Sequence, residues 1–275
     1  MSRRLWVSAS IVVLLAATAA YAQFGYRGGF RSRIPPRYPQ PETFDGRFNF
    51  CRLMYRSAYR EAGGTGWSTD YPDADINFSI RLSELTKAPV SFDREGEPKF
   101  VVVPIMDPAI FRCPWAILED GGTAFFGDDE ARQLREYLVK GGFIWVDDFW
   151  GTRAWDHWQQ EVAKLLPPDR FPIVDIPHEH VIFRTLFDVR KIPQIPSIQF
   201  WRDSGGLRSE RGRDSDTVHF RGIQDEHGRL MVLMTHNTDI ADGWEREGED
   251  VNFFYSFSPD SYALAINIMM YAMSH

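Results

Sequence analysis

The stretch from Asp128 to Trp150 constrains the fold more than any other. Asp128 caps a helix, Asp129 and Glu130 suit its amino-terminal dipole, and Ala131, Leu134, Tyr137 and Leu138 recur at helical spacing until Gly141 closes it. After Gly142 comes Phe143-Ile144-Trp145-Val146, an apolar run without polar alternation, as expected of a strand covered on both faces. A similar run, Trp115 to Leu118, precedes the helix. Strand, helix and strand joined this tightly cross over right-handed and leave parallel neighbours. The fold class that follows is α/β with a mostly parallel central sheet. The strand then runs directly into Asp147-Asp148-Phe149-Trp150. Ligands of such sheets bind outside the carboxyl ends of the strands, so these two carboxylates are the first candidates for a site.

The remaining chain fits this unit. Phe48 to Tyr55, Phe100 to Pro104 and Leu230 to Met234 read as strands. A helix capped by Asp73 or Asp75 runs to about Lys87, with Phe78, Leu82 and Leu85 on one face, and another covers Ala154 to Leu166. Phe171 to Pro196 is a proline-punctuated loop. Ser197–Trp201 and Thr217–Gln224 read as strands around a charged excursion, Asp203 to Asp216. A closing helix starts at Ser258-Pro259 and is apolar nearly all round. With 44% hydrophobic residues and no internal repeat, residues 48–275 form one α/β domain.

Targeting is written at the amino terminus. Arg3 and Arg4 precede an apolar run from Leu5 to Ala19, and Ala20-Tyr21-Ala22 supplies a small-residue cleavage site. The run is shorter than the roughly 20 residues of a bilayer span, so a cleaved signal over residues 1–22 is expected ahead of an uncleaved anchor. Ser2-Arg3-Arg4 partly matches a twin-arginine signal, which leaves the export route open. The mature protein is expected to be periplasmic or secreted, with no membrane span after cleavage. Residues 23–47, rich in Gly, Pro and Arg without apolar periodicity, are expected to form a flexible arm. The net charge of −7 argues against nucleic acid as a partner. Cys51 and Cys113 each lie in apolar sequence and are expected as small buried hydrophobes; a bridge between them is the alternative an oxidising compartment permits.

Specific chemistry is harder to read. Successive strand side chains point to opposite faces, so Asp147 and Asp148 share a site only if the backbone leaves strand geometry between them. One is expected in the crevice while the other caps a helix or pairs with an Arg such as Arg153. His178-x-His180 matches no zinc spacing, so no metal is expected there. No cofactor is implied, because Gly121-Gly122 and Gly141-Gly142 lack phosphate-cradling spacing. No Ser or Cys stands at the turn after Val146, where a nucleophile elbow would place one. Trp145, Trp150, Trp155 and Trp158 read as core packing ahead of an aromatic ligand platform.

Several stretches in order resemble the bacterial family called domain of unknown function 4159, over nearly all of Phe48 to His275. They are Gly66-Trp67-Ser68-Thr69-Asp70-Tyr71-Pro72 with Asp75 and Asn77, Arg81 to Thr86, Asp128 to Asp148, His180 to Phe183, Asn237 to Glu245, and Asn267 to Tyr271. The resemblance implies a flavodoxin-like, class I glutamine-amidotransferase-like layered fold and no established activity. Asp147 or Asp148 falls about where an amidotransferase carries its Cys nucleophile, which removes that mechanism. The expected site gathers Trp67, Asp70, Asp147, Asp148, His180 and Asp239 at one crevice. The leading expectation is an exported domain binding a small-molecule or envelope-polymer ligand. An envelope hydrolase pairing an Asp with His180 is one alternative. A module binding an envelope protein partner is the other.

Overall fold

Parallel pairing organises the chain, which the computed structural model describes over residues 34–61 and 63–275. The expected signal segment and the first part of the expected arm lie outside the described residues. The strands are β1 (Phe50–Met54), β2 (Arg56–Ser57), β3 (Phe100–Pro104), β4 (Trp115–Leu118), β5 (Ala124–Phe125), β6 (Phe143–Phe149), β7 (Ile173–Asp175), β8 (His219–Gln224) and β9 (Leu230–His236). The helices are α1 (Asp73–Leu85), α2 (Asp128–Val139), α3 (Gly151–Leu165), α4 (Ile198–Asp203), α5 (Asp242–Glu245) and α6 (Val251–Ser274). Seven strands form one sheet in the order β3-β1-β4-β6-β9-β8-β7. The first five are parallel. β8 and β7 extend the sheet antiparallel beyond β9. β2 and β5 form a separate antiparallel pair.

Side-chain alternation explains why the central strands read as continuous apolar runs. Trp115 and Ile117 of β4, and Phe143 and Trp145 of β6, face a core shared with Phe78 and Leu82 of α1 and Leu264 and Ile268 of α6. Ala116, Leu118, Ile144 and Val146 face a second core with Leu134 of α2 and Trp158 and Val162 of α3. Each central strand is therefore buried on both sides. At about 25 cal/mol per Å2 of apolar surface, these two layers carry most of the favourable folding energy.

Several local expectations are corrected. Ser197 caps helix α4 instead of starting a strand: its Oγ accepts from the Phe200 amide at 3.2 Å. The capping geometry overrides the short alternation of Ile198 and Phe200. The closing helix begins at Val251, where the Asp250 side chain accepts from the Asn252 and Phe253 amides, so Pro259 lies inside it. In α2 the cap is Gly127, whose amide donates to Glu130 at 2.8 Å, and Asp128 is the first helical residue. Neither Asp73 nor Asp75 caps α1; Pro72 occupies the cap and Asp75 is buried. Residues 37–44 do not form a free arm. The Val102 amide of the edge strand β3 donates to the Arg37 carbonyl, the Arg37 guanidinium covers the Phe100 ring, and Arg112 donates to the Phe44 carbonyl. An edge strand with unpaired amides recruits such a segment. Cys51 and Cys113 are joined in a disulfide, because β1 and the approach to β4 bring their Cα atoms to 6.1 Å.

Candidate functional site

Four non-glycine residues of the described chain have left-handed backbone: Asp70, Asp120, Asp148 and Asn237. Asp120 follows β4, Asp148 lies within the end of β6, and Asn237 follows β9, all at the carboxyl edge of the parallel strands. Asp and Asn tolerate this conformation best, and it still costs about 1 kcal/mol at each position. Such backbone concentrates where a fold positions functional groups.

Arg52 of β1 brings Asp70 to this edge. Its side chain lies on the α1 face of the sheet and is fully buried. Its Nε donates to both Asp75 carboxylate oxygens, at 3.0 and 3.2 Å, and its Nη1 to the carbonyls of Trp67 and Thr69, at 3.2 and 2.8 Å. Burial works against the guanidinium charge, but Asp75 and Glu119 outweigh it and hold Arg52 charged. The loop is fixed a second time by Gly66, whose amide donates to Asp120 Oδ2 at 2.9 Å. Gly66 has φ +69°, which glycine adopts without strain, and a Cβ there would press on Ser57 Oγ.

The two aspartates at the end of β6 separate by role. Asp147 follows the strand alternation into the α1 face, where it is fully buried. Its Oδ1 accepts from the Thr235 hydroxyl and its Oδ2 from the Ile240 and Ala241 amides, at 2.8 and 3.1 Å. Burial pushes its carboxyl up to about 7 against these donors. It is a clamp on the turn after β9. Asp148 then adopts φ +51°, shifts the register against β9, and turns its carboxyl to the edge, where it accepts from Trp150 Nε1 at 3.0 Å. Burial, with Asp120 and Glu210 nearby, pushes it well above the carboxylate range. Arg153 instead covers the Tyr59 ring.

The turn after β9 supplies the remaining acids. Asp239 Oδ1 accepts from the Asp242 amide at 2.9 Å, which orders the short helix carrying Asp242 and Glu245. Burial raises Asp239 well above its ordinary value, reinforced by Asp242, Asp70 and Asp148. Asp70 is raised by burial and then by Asp242, Glu245 and Asp148, and Asp242 by burial and then Glu245. Glu245 is raised by burial even though Arg246 Nε pairs with its Oε2 at 2.9 Å. One carboxylate oxygen each from Asp70, Asp242 and Glu245 lie within 4.8 Å of one another.

Asp70, Asp148 and Asp239 thus share one edge. Trp67 contributes its carbonyl to Arg52, and its ring lies against Tyr71 at 5.7 Å. His180 is elsewhere. Its Nδ1 accepts from the Ile182 amide at 3.2 Å and its ring packs 5.4 Å from Tyr271, whose hydroxyl meets the first amide of β9 at the opposite edge. A proline-punctuated loop has no periodicity to orient it, so its position depended on packing against α6. His178 rests on Phe183. Trp145 and Trp158 are core residues, the former donating to Thr235 Oγ1 at 2.8 Å. Trp155 stacks between Phe149, His236 and the Arg221 guanidinium.

Arg52, Glu119, Asp120, Asp242 and Glu245 belong to this edge and were not among the expected site residues. The available signal for Arg52 was a charge inside an otherwise apolar strand, Phe50-Cys51-Arg52-Leu53-Met54. The excursion from Asp203 to Asp216 folds against the same region: Glu210 accepts from the Ser197 amide at 2.7 Å and Asp214 Oδ1 from the Thr152 hydroxyl at 2.6 Å. Gly151 begins α3 at φ +78°, and a Cβ would press on Asp214 Oδ2, so glycine lets the excursion close down. A hollow of about 730 Å3 opens at the other edge, lined by Arg135, Arg170, His227 and Arg229. Arg229 is committed there to Asp225 and to the Leu138 and Gly142 carbonyls. No helix of the described residues is long and apolar enough to cross a membrane.

Comparison with known proteins gives one assignment. No curated protein matches the chain. The family whose pattern fits covers residues 50–273, from the start of β1 to the last turn of α6, and takes in every acid at the carboxyl edge. The chain belongs to the family described as domain of unknown function (DUF4159).

Proposed function

We propose that the chain is an exported binding domain of flavodoxin-like, glutamine-amidotransferase-like architecture. Its carboxyl edge holds a small or polymeric envelope ligand presenting cationic or hydrogen-bond-donating groups. The observation that carries this reading is the convergence of Asp70, Asp148, Asp239, Asp242 and Glu245, with the Arg52 and Arg246 guanidiniums already paired. Burying like charges together costs stability unless a partner neutralises them.

The strand order supports the architecture. Counted along the chain, the five parallel strands stand in the order 2-1-3-4-5, the flavodoxin-like arrangement, with the reversal between β1 and β4. Asp120 and the Gly66 loop lie at that reversal, where ligands of such sheets bind. Amidotransferase chemistry is excluded from the reading, since Cys51 and Cys113 are buried and bonded to each other. The disulfide also favours an oxidising compartment, in keeping with export. A hydrolase built on His180 loses its base to the opposite edge of the sheet.

The test uses full-length protein purified from its native envelope, with mass spectrometry of retained small molecules. Asp148→Asn, which keeps the left-handed backbone accessible, is expected to lose the retained molecule while its Tm stays near that of the wild type. Asp147→Ala, which strands two amides and a hydroxyl, is expected to lose roughly 2–4 kcal/mol of stability. Full retention by Asp148→Asn would remove the crevice as the binding site.

A further inference from the structure

We infer that Asp70, Asp242 and Glu245 bind a hard divalent cation of calcium size. This rests on the acidic edge being the binding site and names a ligand class for one end of it. Two separate observations lead here. The first is spacing: one oxygen from each of the three residues lies within 4.8 Å of the other two. Ligand oxygens sit about 2.4 Å from a calcium ion, so two sharing an ion are at most about 4.8 Å apart. The second is an orphaned atom. Asp242 is only 4% exposed, and among the described residues its Oδ2 has no hydrogen-bond partner, nor does the buried Oδ2 of Asp70. Buried carboxylate oxygens ordinarily find donors, so these two await one.

Among the described residues no amide, hydroxyl or cationic group reaches these two oxygens, and against Asp242 stands only the carboxyl of Asp239. Arg52 is taken by Asp75 and two carbonyls, and Arg246 pairs with Oε2 of Glu245, leaving that residue's other oxygen available. A shared proton would neutralise one pair and leave the third carboxylate facing it. A divalent ion neutralises two charges and bridges all three residues, with water completing the six to eight oxygens that calcium takes. Magnesium dehydrates reluctantly and is ordinarily held by one or two carboxylates with several waters, so a group of three protein carboxylates suits calcium better. The scaffold is rigid on both sides. Arg52 and Gly66 fix the loop carrying Asp70, while Asp147 and Asp239 fix the turn carrying Asp242 and Glu245.

The experiment is calcium chloride titration of chelator-treated full-length protein, followed by calorimetry and thermal unfolding, with magnesium chloride run in parallel. Terbium serves as a luminescent stand-in, with Trp244, beside Glu245, as its sensitiser. Calcium is expected to bind below about 1 mM, raise the Tm and outcompete magnesium. Glu245→Gln is expected to weaken calcium binding about tenfold or more, and Asp242→Asn to abolish it. Both variants relieve like-charge repulsion, so their metal-free Tm is expected to equal or exceed the wild-type value. Absence of calcium binding by the wild type at about 10 mM, or undiminished binding in both variants, would overturn the inference. An organic molecule retained by metal-free wild type and lost in Asp148→Asn, with no calcium response, would overturn the cation site and leave the crevice reading standing. Calcium binding with no organic molecule retained would support the cation site and remove the organic ligand.

Discussion

Asp120 shows how one residue couples the acidic edge to pH. It stands in left-handed backbone, accepts from the Gly66 amide, and is pushed by burial up to about 7. The unfolded chain titrates it at about 3.9, so between these values the folded protein holds a proton that the unfolded chain has released. Its contribution is fully present below the unfolded value and is lost as pH rises through about 7. His236 acts in the opposite sense: burial lowers it to about 4, so stability falls as pH drops below about 6.5. The Tm of chelator-treated protein is therefore expected to fall as pH rises from about 6 to about 8. Asp120→Asn keeps the backbone conformation and the acceptor for Gly66. It is expected to stabilise the protein at pH 8 by roughly 1 kcal/mol, about 2–4 °C in Tm, and to flatten the decline. An unchanged pH slope in the variant would show that Asp120 ionises normally in the fold.

At the scale of elements, α6 shows where local signals mislead. Ser258-Pro259 has the form of a helix start, yet the helix begins eight residues before Pro259 because Asp250 caps it and Phe253 and Phe257 pack on Trp201. Pro259 removes the bond its amide would make to the Tyr255 carbonyl. Pro259 is exposed and Tyr255 is 75% exposed, so that carbonyl is solvated at little cost. Restoring the bond with Pro259→Ala is expected to stabilise the protein by about 1 kcal/mol, read as a higher urea midpoint with an unchanged slope. A lower midpoint would mean that the restriction Pro259 places on the unfolded chain outweighs the missing bond. The end of β6 is the complementary case. Asp147 obeys the period of two and is structural, whereas Asp148 breaks it and turns to the carboxyl edge. Alternation alone could show that the two had to separate, and could not say which one turned outward.

Across the whole molecule, the disulfide ties β1 to the approach to β4 over a sequence separation of 62 residues. A closed loop of that length restricts the unfolded chain by about 4 kcal/mol in the chain-entropy account. The double substitution of Cys51→Ala and Cys113→Ala is expected to lower stability by roughly 2–4 kcal/mol, measured by denaturant unfolding without reductant. Reductant is expected to lower the wild-type midpoint and leave the variant unmoved. Equal reductant sensitivity in both proteins would show that the bridge contributes nothing. The bridge lies against the second core, away from the acidic loop, so the variant is expected to keep its calcium response.

The sequence by itself determined the α/β class, the parallel core strands and the carboxyl edge as the place to look. Those features follow from apolar periodicity and short crossovers, which are local and repeat along the chain. It also pointed to one of Asp147 and Asp148, with Asp239 and Asp70, for that edge, because each follows a legible strand or the turn after one. Only the tertiary structure decided that Asp147 is a clamp, that Arg52 holds the Asp70 loop, and that Cys51 meets Cys113. It also carried His180 to the far edge and brought Glu245 toward Asp70. Each of these pairs residues distant in the chain through irregular loops. No period in the sequence orients such a loop; its course is set by what it packs against and by which buried donors and acceptors must find partners.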